Sequence, residues 1–213
     1  MKTHNSFNPE DIFTADEPSL LLVISAPSGA GKSTICRRLL KRNPRLVFSV
    51  STTTRPPRNH ETEGVDYHFV DEQNFKQMIA DDAFLEWARV HEEYYGTSRK
   101  AVLEERHRAK DVMLDIDVQG GEQIRKLYPD AVMIFIVPPD MDELERRLRA
   151  RNTESEVEIN RRLGNARMEL KEIYNYDFVV VNDSVDEAVK AIESIRQAEK
   201  LRLPRIKEGL PDL

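Results

Sequence analysis

"SAPSGAGKST", residues 25–34, decides how this chain is read. It closes on Gly31, Lys32, Ser33 and Thr34 in the manner of the phosphate-binding pattern G-x-x-x-x-G-K-[ST], but Ala26 stands where that pattern has its first glycine. Such a loop works because successive backbone N–H groups converge on an anion at a helix N-terminus, where the helix dipole adds positive potential. Gly29 and Gly31 fall in the tight part, where the backbone must turn and approach the anion closely. Ala26 precedes Pro27, which pushes it into the extended region, where alanine carries no steric penalty. The first glycine is therefore dispensable. Ala26, Pro27, Ser28, Gly29, Ala30, Gly31, Lys32, Ser33 and Thr34 are expected to cradle nucleotide phosphates, with Lys32 as a cation for the β/γ-phosphates and the Ser33 hydroxyl as a ligand for Mg²⁺.

The surroundings of the loop agree. "SLLLVIS" (19–25) is an apolar run of strand length that predicts a strand covered on both faces, and Ile35, Leu39 and Leu40 follow helical spacing up to the stop at Asn43-Pro44. "LVFSV" (46–50), "DVMLDI" (111–116), "AVMIFIV" (131–137) and "DFVVVN" (177–182) read as four more buried strands. Helical segments are expected near 98–109, 118–128, 140–150, 156–174 and 184–201. Strands alternating with helices imply a three-layer α/β/α domain on a mostly parallel five-stranded sheet. Two stretches break the rhythm. Residues 52–97, rich in Thr, Pro, aromatics and charge, predict a β-rich insertion around one helix. "RARNTESEVEINRRL" (149–163) is charged and poor in large apolar residues, so it is expected to be exposed and mobile.

Composition narrows the class. A chain of 213 residues suits one domain with a sizeable core, and 33% charged residues with no apolar run of ~18 exclude a transmembrane helix. The opening "MKTHNSFNPEDIFTADEP" lacks the apolar core of a signal peptide and reads as a loose arm. The single cysteine, Cys36, sits among helical apolar positions as a buried thiol. A cytoplasmic location is expected. A net charge of -6 argues against nucleic-acid binding but leaves local arginine clusters free to take a small anion.

"SVSTTTRPPRNHETEGVDYHFV" (49–70) holds one such cluster: Arg55 and Arg58 lie three apart with Pro56-Pro57 stiffening the spacing, and two guanidinium forks so held suit a phosphate. Glu86 lies inside the apolar "FLEWARV", and Tyr95 and Thr97 follow in "EYYGTS". "VMLDIDVQGG" puts Asp115 and Asp117 at the carboxyl end of a strand, where doubly wound sheets put their ligands, although Asp117, and less readily Asp115, could instead cap the helix that starts at Val118. Arg147 and Arg151 share one helix face four residues apart.

Taken together, the loop, "TTRPPRNHETEGVDYHF" (53–69), "EWARV" (86–90) with "EYYGTS" (93–98), and "LDIDVQG" (114–120) resemble the guanylate kinases from about residue 20 to 201. The resemblance implies an ATP:GMP phosphotransferase using Mg²⁺, able to take dGMP as well. It implies that Arg55, Arg58, Tyr67 and Tyr95 hold the GMP phosphate and that Ser51, Glu86 and Thr97 read the guanine, with Asp117 near the acceptor nucleoside. It further implies that Asp115 orients the metal through water and that Asn182 lies near the adenine. Lys32, Arg55, Arg147, Arg151 and Arg162 would carry catalysis, the last three as arginines of a lid that closes over the ATP phosphates. The guanine assignment has a chemical basis: N1–H and the 2-amino group are two donors on one edge, which a single carboxylate accepts together, whereas adenine would leave that carboxylate badly paired. The implied divisions are an arm (1–18), a core (19–51, 98–146 and 168–201), a GMP-binding insertion (52–97), a lid (147–167) and a tail (202–213). His60 and Asn152 depart from the family's usual glycines. Two rivals stand beside this reading: a related kinase acting on a sugar phosphate, which would not need Ser51, Glu86 and Thr97 together, and a non-catalytic scaffold module, which would lose Lys32 and the lid arginines. ATP and GMP are the expected partners, without nucleic acid or membrane, and the oligomeric state is left open, a homo-oligomer included.

Overall fold

Strand β1, Leu21–Ser25, is buried at every position, and its alternation explains why. Leu20, Leu22 and Ile24 enter one apolar cluster with Ile35, Leu39, Val189 and Ile192, while Leu21 and Val23 enter another with Val102, Leu114 and Ile124. Successive side chains point to opposite faces of a strand, so a run that is apolar throughout must be covered on both. The computed structural model describes residues 18–206 apart from 60, 91, 109 and 151–154. His60, Arg151, Asn152, residues 1–17 of the expected arm and residues 207–213 of the tail lie outside the described residues.

The main sheet runs β2 (Leu46–Phe48), β7 (Asp111–Asp115), β1, β8 (Val132–Val137), β9 (Phe178–Val181), and all four pairings are parallel. The five apolar runs are its five strands, each slightly shorter than its run. Helices α1 (Lys32–Arg42) and α7 (Val185–Lys200) supply the first cluster; α3 (Arg99–His107) and α4 (Val118–Leu127) supply the second. Because β1 lies between β7 and β8, the chain leaves it in one direction and later returns on the other side, which makes its carboxyl end the topological switch point. The opposite end of β7 is fixed by Asp111, fully buried, which accepts from the Leu20 amide (3.0 Å), Arg196 (2.5 Å) and Lys200 (3.1 Å).

The insertion is a second sheet, in the order β4 (His68–Phe69), β3 (Ser51–Thr53), β6 (Glu93–Ser98), β5 (Phe84–Val90). Helix α2 (Glu72–Ala80) backs it: Phe75, with no exposed surface, stacks on Phe84 and Tyr94 at centroid distances of 4.6 and 5.3 Å. Burying such a side chain contributes about 1.5–3 kcal/mol.

The charged stretch 149–163 corrects an expectation. Rather than being exposed throughout, its second half is the start of α6 (Glu156–Glu169), whose Ile159, Leu163 and Ala166 pack on Leu144 and Leu148 of α5 (Met141–Arg149). Three apolar side chains at i, i+4 and i+7 suffice for one buried stripe, and the charges around them occupy the other faces. Likewise the helix expected over 156–174 ends at Glu169 and tightens into a 3₁₀ segment, Leu170–Asn175. Among the described residues, no helix is long and apolar enough to cross a membrane.

Candidate active site

The loop after β1 turns twice through left-handed backbone, at Gly29 (φ 97°) and Gly31 (φ 91°). Gly31 also has no room for a side chain, since a Cβ there would lie 2.3 Å from the amide nitrogen of Asn182. The same Asn182 nitrogen donates to the Ala30 carbonyl at 2.7 Å, and Arg147 donates to the Asn182 carbonyl at 2.9 Å. Asn182 and Arg147 thus brace the loop from beneath and do not line the cleft above it. Gly31 is also the N-cap of α1 and makes no side-chain cap, whereas helices α2 to α6 are capped by Asp71, Ser98, Asp117, Asp140 and Ser155. The first turn of α1 carries no acid either, so the free amides and positive end of this helix face the cleft uncompensated.

Lys32 forms an ion pair with Asp115 and donates to the Ile116 carbonyl at 3.1 Å. Strand register brings them together, because Asp115 of β7 sits opposite Ile24 of β1, one residue before the strand ends. Burial disfavours the Lys32 charge, but the Asp115 carboxylate outweighs it and holds the ammonium above its ordinary 10.5. Lys32 is therefore cationic at neutral pH.

Across the cleft stands a row of side chains from three strands. Ser51 of β3 pairs with Thr97 of β6, and Thr97 pairs with Glu86 of β5. Thr97 donates its hydroxyl to Glu86 Oε1 at 2.5 Å. Glu86 is 4% exposed, and burial raises its carboxyl to about 7, against the opposing hydrogen bond from Thr97. The row depends on a β-bulge between Phe84 and Glu86. The extra residue, Leu85, enters the main core, and the shift restores Glu86 to the cleft face. Without the bulge the pleat would turn Glu86 to the opposite face.

At the end of the same face, Tyr67 and Tyr95 meet edge to face at 6.0 Å, with the Arg55 guanidinium 5.5 Å from the Tyr67 ring. Arg55 is held bidentately by Glu61 at 2.8 and 3.0 Å, and Glu61 also accepts the Arg58 amide at 2.8 Å. Burial works against ionised Glu61, but these donors keep it below the ordinary carboxylate range. Arg58 faces the cleft; Arg55 stays behind it.

All of this borders one cleft of about 530 Å³, lined by the loop from Ala26 to Thr34 except Ala30, and by Ser51, Arg58, Tyr67, Glu86, Tyr95, Asp115, Asp117 and Arg162. Thr97, Arg55, Arg147 and Asn182 support lining residues from behind. Asp117 does two things: it lines the cleft and caps α4, accepting the Gly120 amide at 2.9 Å. Arg162 reaches from α6 to the Ser28 hydroxyl at 2.5 Å. The Ser33 hydroxyl and Asp115 carboxylate offer two hard oxygens on one cleft wall, a donor set suited to Mg²⁺, which keeps waters and phosphate oxygens as its other ligands.

Among the residues in or around the cleft that the sequence did not single out for the site are Glu169, Glu61 and Gln123. Glu169, the last residue of α6, accepts the Ser28 amide at 3.3 Å and lines the cleft. It lies one heptad beyond Arg162, on the same helix face, just past the expected lid. Glu61 continues the spacing of three from Arg55 and Arg58, which could have marked it. Gln123, which binds the Trp87 backbone, carries no such signal.

Comparison with known proteins points one way. A family model described as guanylate kinase matches residues 19–199. The chain is 51% identical over 190 residues to a guanylate kinase of Myxococcus xanthus, covering 89% of this chain and 91% of that protein. It is 50% identical over 188 residues to one of Syntrophotalea carbinolica, covering 88% and 90%. A crystal structure of guanylate kinase from Anaplasma phagocytophilum superposes with a TM-score of 0.76 at 32% identity, covering 91% of this chain and 94% of that one.

Proposed function

The chain belongs to the guanylate kinase family, and we propose that it transfers the γ-phosphoryl group of ATP to GMP across the cleft between the Lys32 loop and the Glu86 row. The observation that carries this reading is the row itself. Ser51, Thr97 and Glu86 are consecutive across three strands, and Ser51 and Glu86 line the cleft opposite the phosphate loop, with Thr97 behind them holding the Glu86 carboxylate. A sugar-phosphate kinase would have no use for that row, and a scaffold module none for Lys32. The comparisons favour neither.

In this reading the loop amides and Lys32 hold the ATP phosphates. Glu86 accepts guanine N1–H and the 2-amino group, while Ser51 and Thr97 support the base edge. Arg58, Tyr67 and Tyr95 receive the acceptor phosphate, and Arg55, presented by Glu61, adds a second cation. Phosphoryl transfer asks little covalent chemistry of the protein, so positioning and cationic clamps are most of the mechanism. Arg162 supplies a clamp from α6, with Arg147 bracing the loop below and Arg151 assigned by the resemblance. Ser33, and Asp115 through water, would hold Mg²⁺, which would supply charge neutralisation for the phosphates. Residues 52–97 serve as the acceptor-binding part and 147–167 as the lid, whose closure excludes water from the γ-phosphate. A cytoplasmic location, ATP and GMP as partners, and dGMP as a further acceptor complete the proposal.

An ADP-release assay with ATP-Mg²⁺ and GMP, IMP, AMP, UMP, CMP or ribose phosphate as acceptor tests it. Strong turnover selective for GMP is expected. Turnover only with ribose phosphate would overturn the base-reading row and leave the phosphate loop standing.

A further inference from the structure

Helix α4 belongs to the main domain, yet it touches the base-reading carboxylate directly. A Cβ added at Gly120 would lie 2.4 Å from Glu86 Oε2 and 3.3 Å from Ile116 Cδ1. One turn further along, Gln123 binds both backbone groups of the next β5 residue: its Nε2 donates to the Trp87 carbonyl at 2.7 Å, and its Oε1 accepts the Trp87 amide at 3.3 Å. The side-chain amide therefore pairs with β5 as a neighbouring strand would. Thr97 fixes the other carboxylate oxygen.

We propose that Gly120 and Gln123 are positioning residues for acceptor-base discrimination: Gly120 keeps open the space in which the Glu86 carboxylate takes both guanine donors, and Gln123 fixes β5 at the height that puts it there. The inference rests on Glu86 reading guanine and adds what sets its position. Several physical points support it. Gly120 lies inside a helix with no positive φ, so the backbone does not require glycine there. Alanine is the better helix former, and the conformational reason for glycine is therefore absent. What remains is the close approach of the carboxylate. An added methyl would meet the end of a side chain, which can swing aside, so the fold should survive while the geometry of base reading does not. The same helix is capped by Asp117, on the cleft wall, so α4 ties the height of the acceptor base to the donor side of the site.

Steady-state kinetics with GMP and IMP as alternative acceptors tests this on Gly120→Ala and Gln123→Met, beside the unsubstituted protein. IMP lacks the 2-amino group and can use only one carboxylate contact. For Gly120→Ala, KM for GMP should rise about tenfold or more and the GMP-to-IMP ratio of kcat/KM should fall about as much, the usual loss for one charge-assisted hydrogen bond. KM for ATP should stay within about twofold and the melting temperature should not drop, because only the acceptor base has lost a partner. Gln123→Met, which keeps the length but not the amide, should move GMP and the ratio in the same direction by about threefold. It also serves as the test if Gly120→Ala does not fold. Equal losses with GMP and IMP, unchanged GMP kinetics, or an ATP defect as large as the GMP defect would overturn the proposal. If the unsubstituted protein fails to use GMP at all, the functional reading falls; if it uses GMP and the variants behave like it, only the present inference falls.

Discussion

The two halves of the cleft recognise their ligands by different means. The donor side is built from nine contiguous residues, Ala26 to Thr34, whose chief instruments are backbone amides, two left-handed glycines and one lysine held by register against Asp115. The acceptor side is built from side chains drawn from three strands, with Ser51, Glu86 and Thr97 aligned only because the strands pair as they do and β5 carries a bulge. Backbone recognition is compact and tolerant of sequence, which is why Ala26 can replace a glycine without cost. Side-chain recognition is dispersed and discriminating, because each buried polar group penalises a ligand that leaves it unpaired. A phosphate common to all nucleoside triphosphates is bound by the first means, and the base that distinguishes the acceptor by the second.

If this contrast holds, substitutions on the two sides should fail differently. The largest effect is expected from Lys32→Ala, which removes the donor-side cation and leaves Asp115 without its partner. Turnover should fall on the order of 10³-fold or more, with the fold retained by circular dichroism. Near-normal turnover would break the donor half of the comparison. Next comes Glu86→Gln, which loses an acceptor and turns an amide donor toward guanine. KM for GMP should rise on the order of 10²-fold with KM for ATP little changed, the range of one charged hydrogen bond lost in a buried site. Equal effects on both substrates would show that Glu86 is structural.

The smallest effect is a pH dependence confined to the acceptor side. Burial raises the Glu86 carboxyl to about 7, and only its ionised form can accept both guanine donors. KM for GMP should therefore rise about tenfold from pH 8 to pH 6, while Lys32, held above its ordinary 10.5, keeps ATP binding flat over that range. Stability carries the opposite sign. Between the ordinary 4.5 and about 7 the unfolded chain has released this proton and the folded one has not, so folding stability falls as pH rises through that window. Glu86→Gln removes the penalty and should be the more stable protein at pH 8, by at most about 3 kcal/mol, with the difference closing toward pH 4.5. Denaturant melts at the two pH values measure it.

How legible each half was follows from the same contrast. The five apolar runs marked the five strands, and the contiguous loop marked the donor site, because local signals suffice for both. The lid stretch misled. Its apolar stripe of Ile159, Leu163 and Ala166 is thin, and it becomes a packed face only against Leu144 and Leu148. On the acceptor side, Ser51, Glu86 and Thr97 could be singled out by resemblance, but nothing local said that they form one row or that Leu85 must bulge to make it. Arg147 and Asn182 were singled out in the same way, and their place beneath the loop emerged only from the fold.

What the sequence determined by itself was therefore the sheet, the phosphate loop and the chemistry of the acceptor residues, since each is written in the periodicity or identity of neighbouring residues. What only the tertiary structure decided was register: which residue of β7 meets Lys32, which face of β5 carries Glu86, and which atoms of α4 stop against that carboxylate. Register is a relation between segments far apart in the chain. It is fixed by the burial that all of them share, and no single segment encodes it.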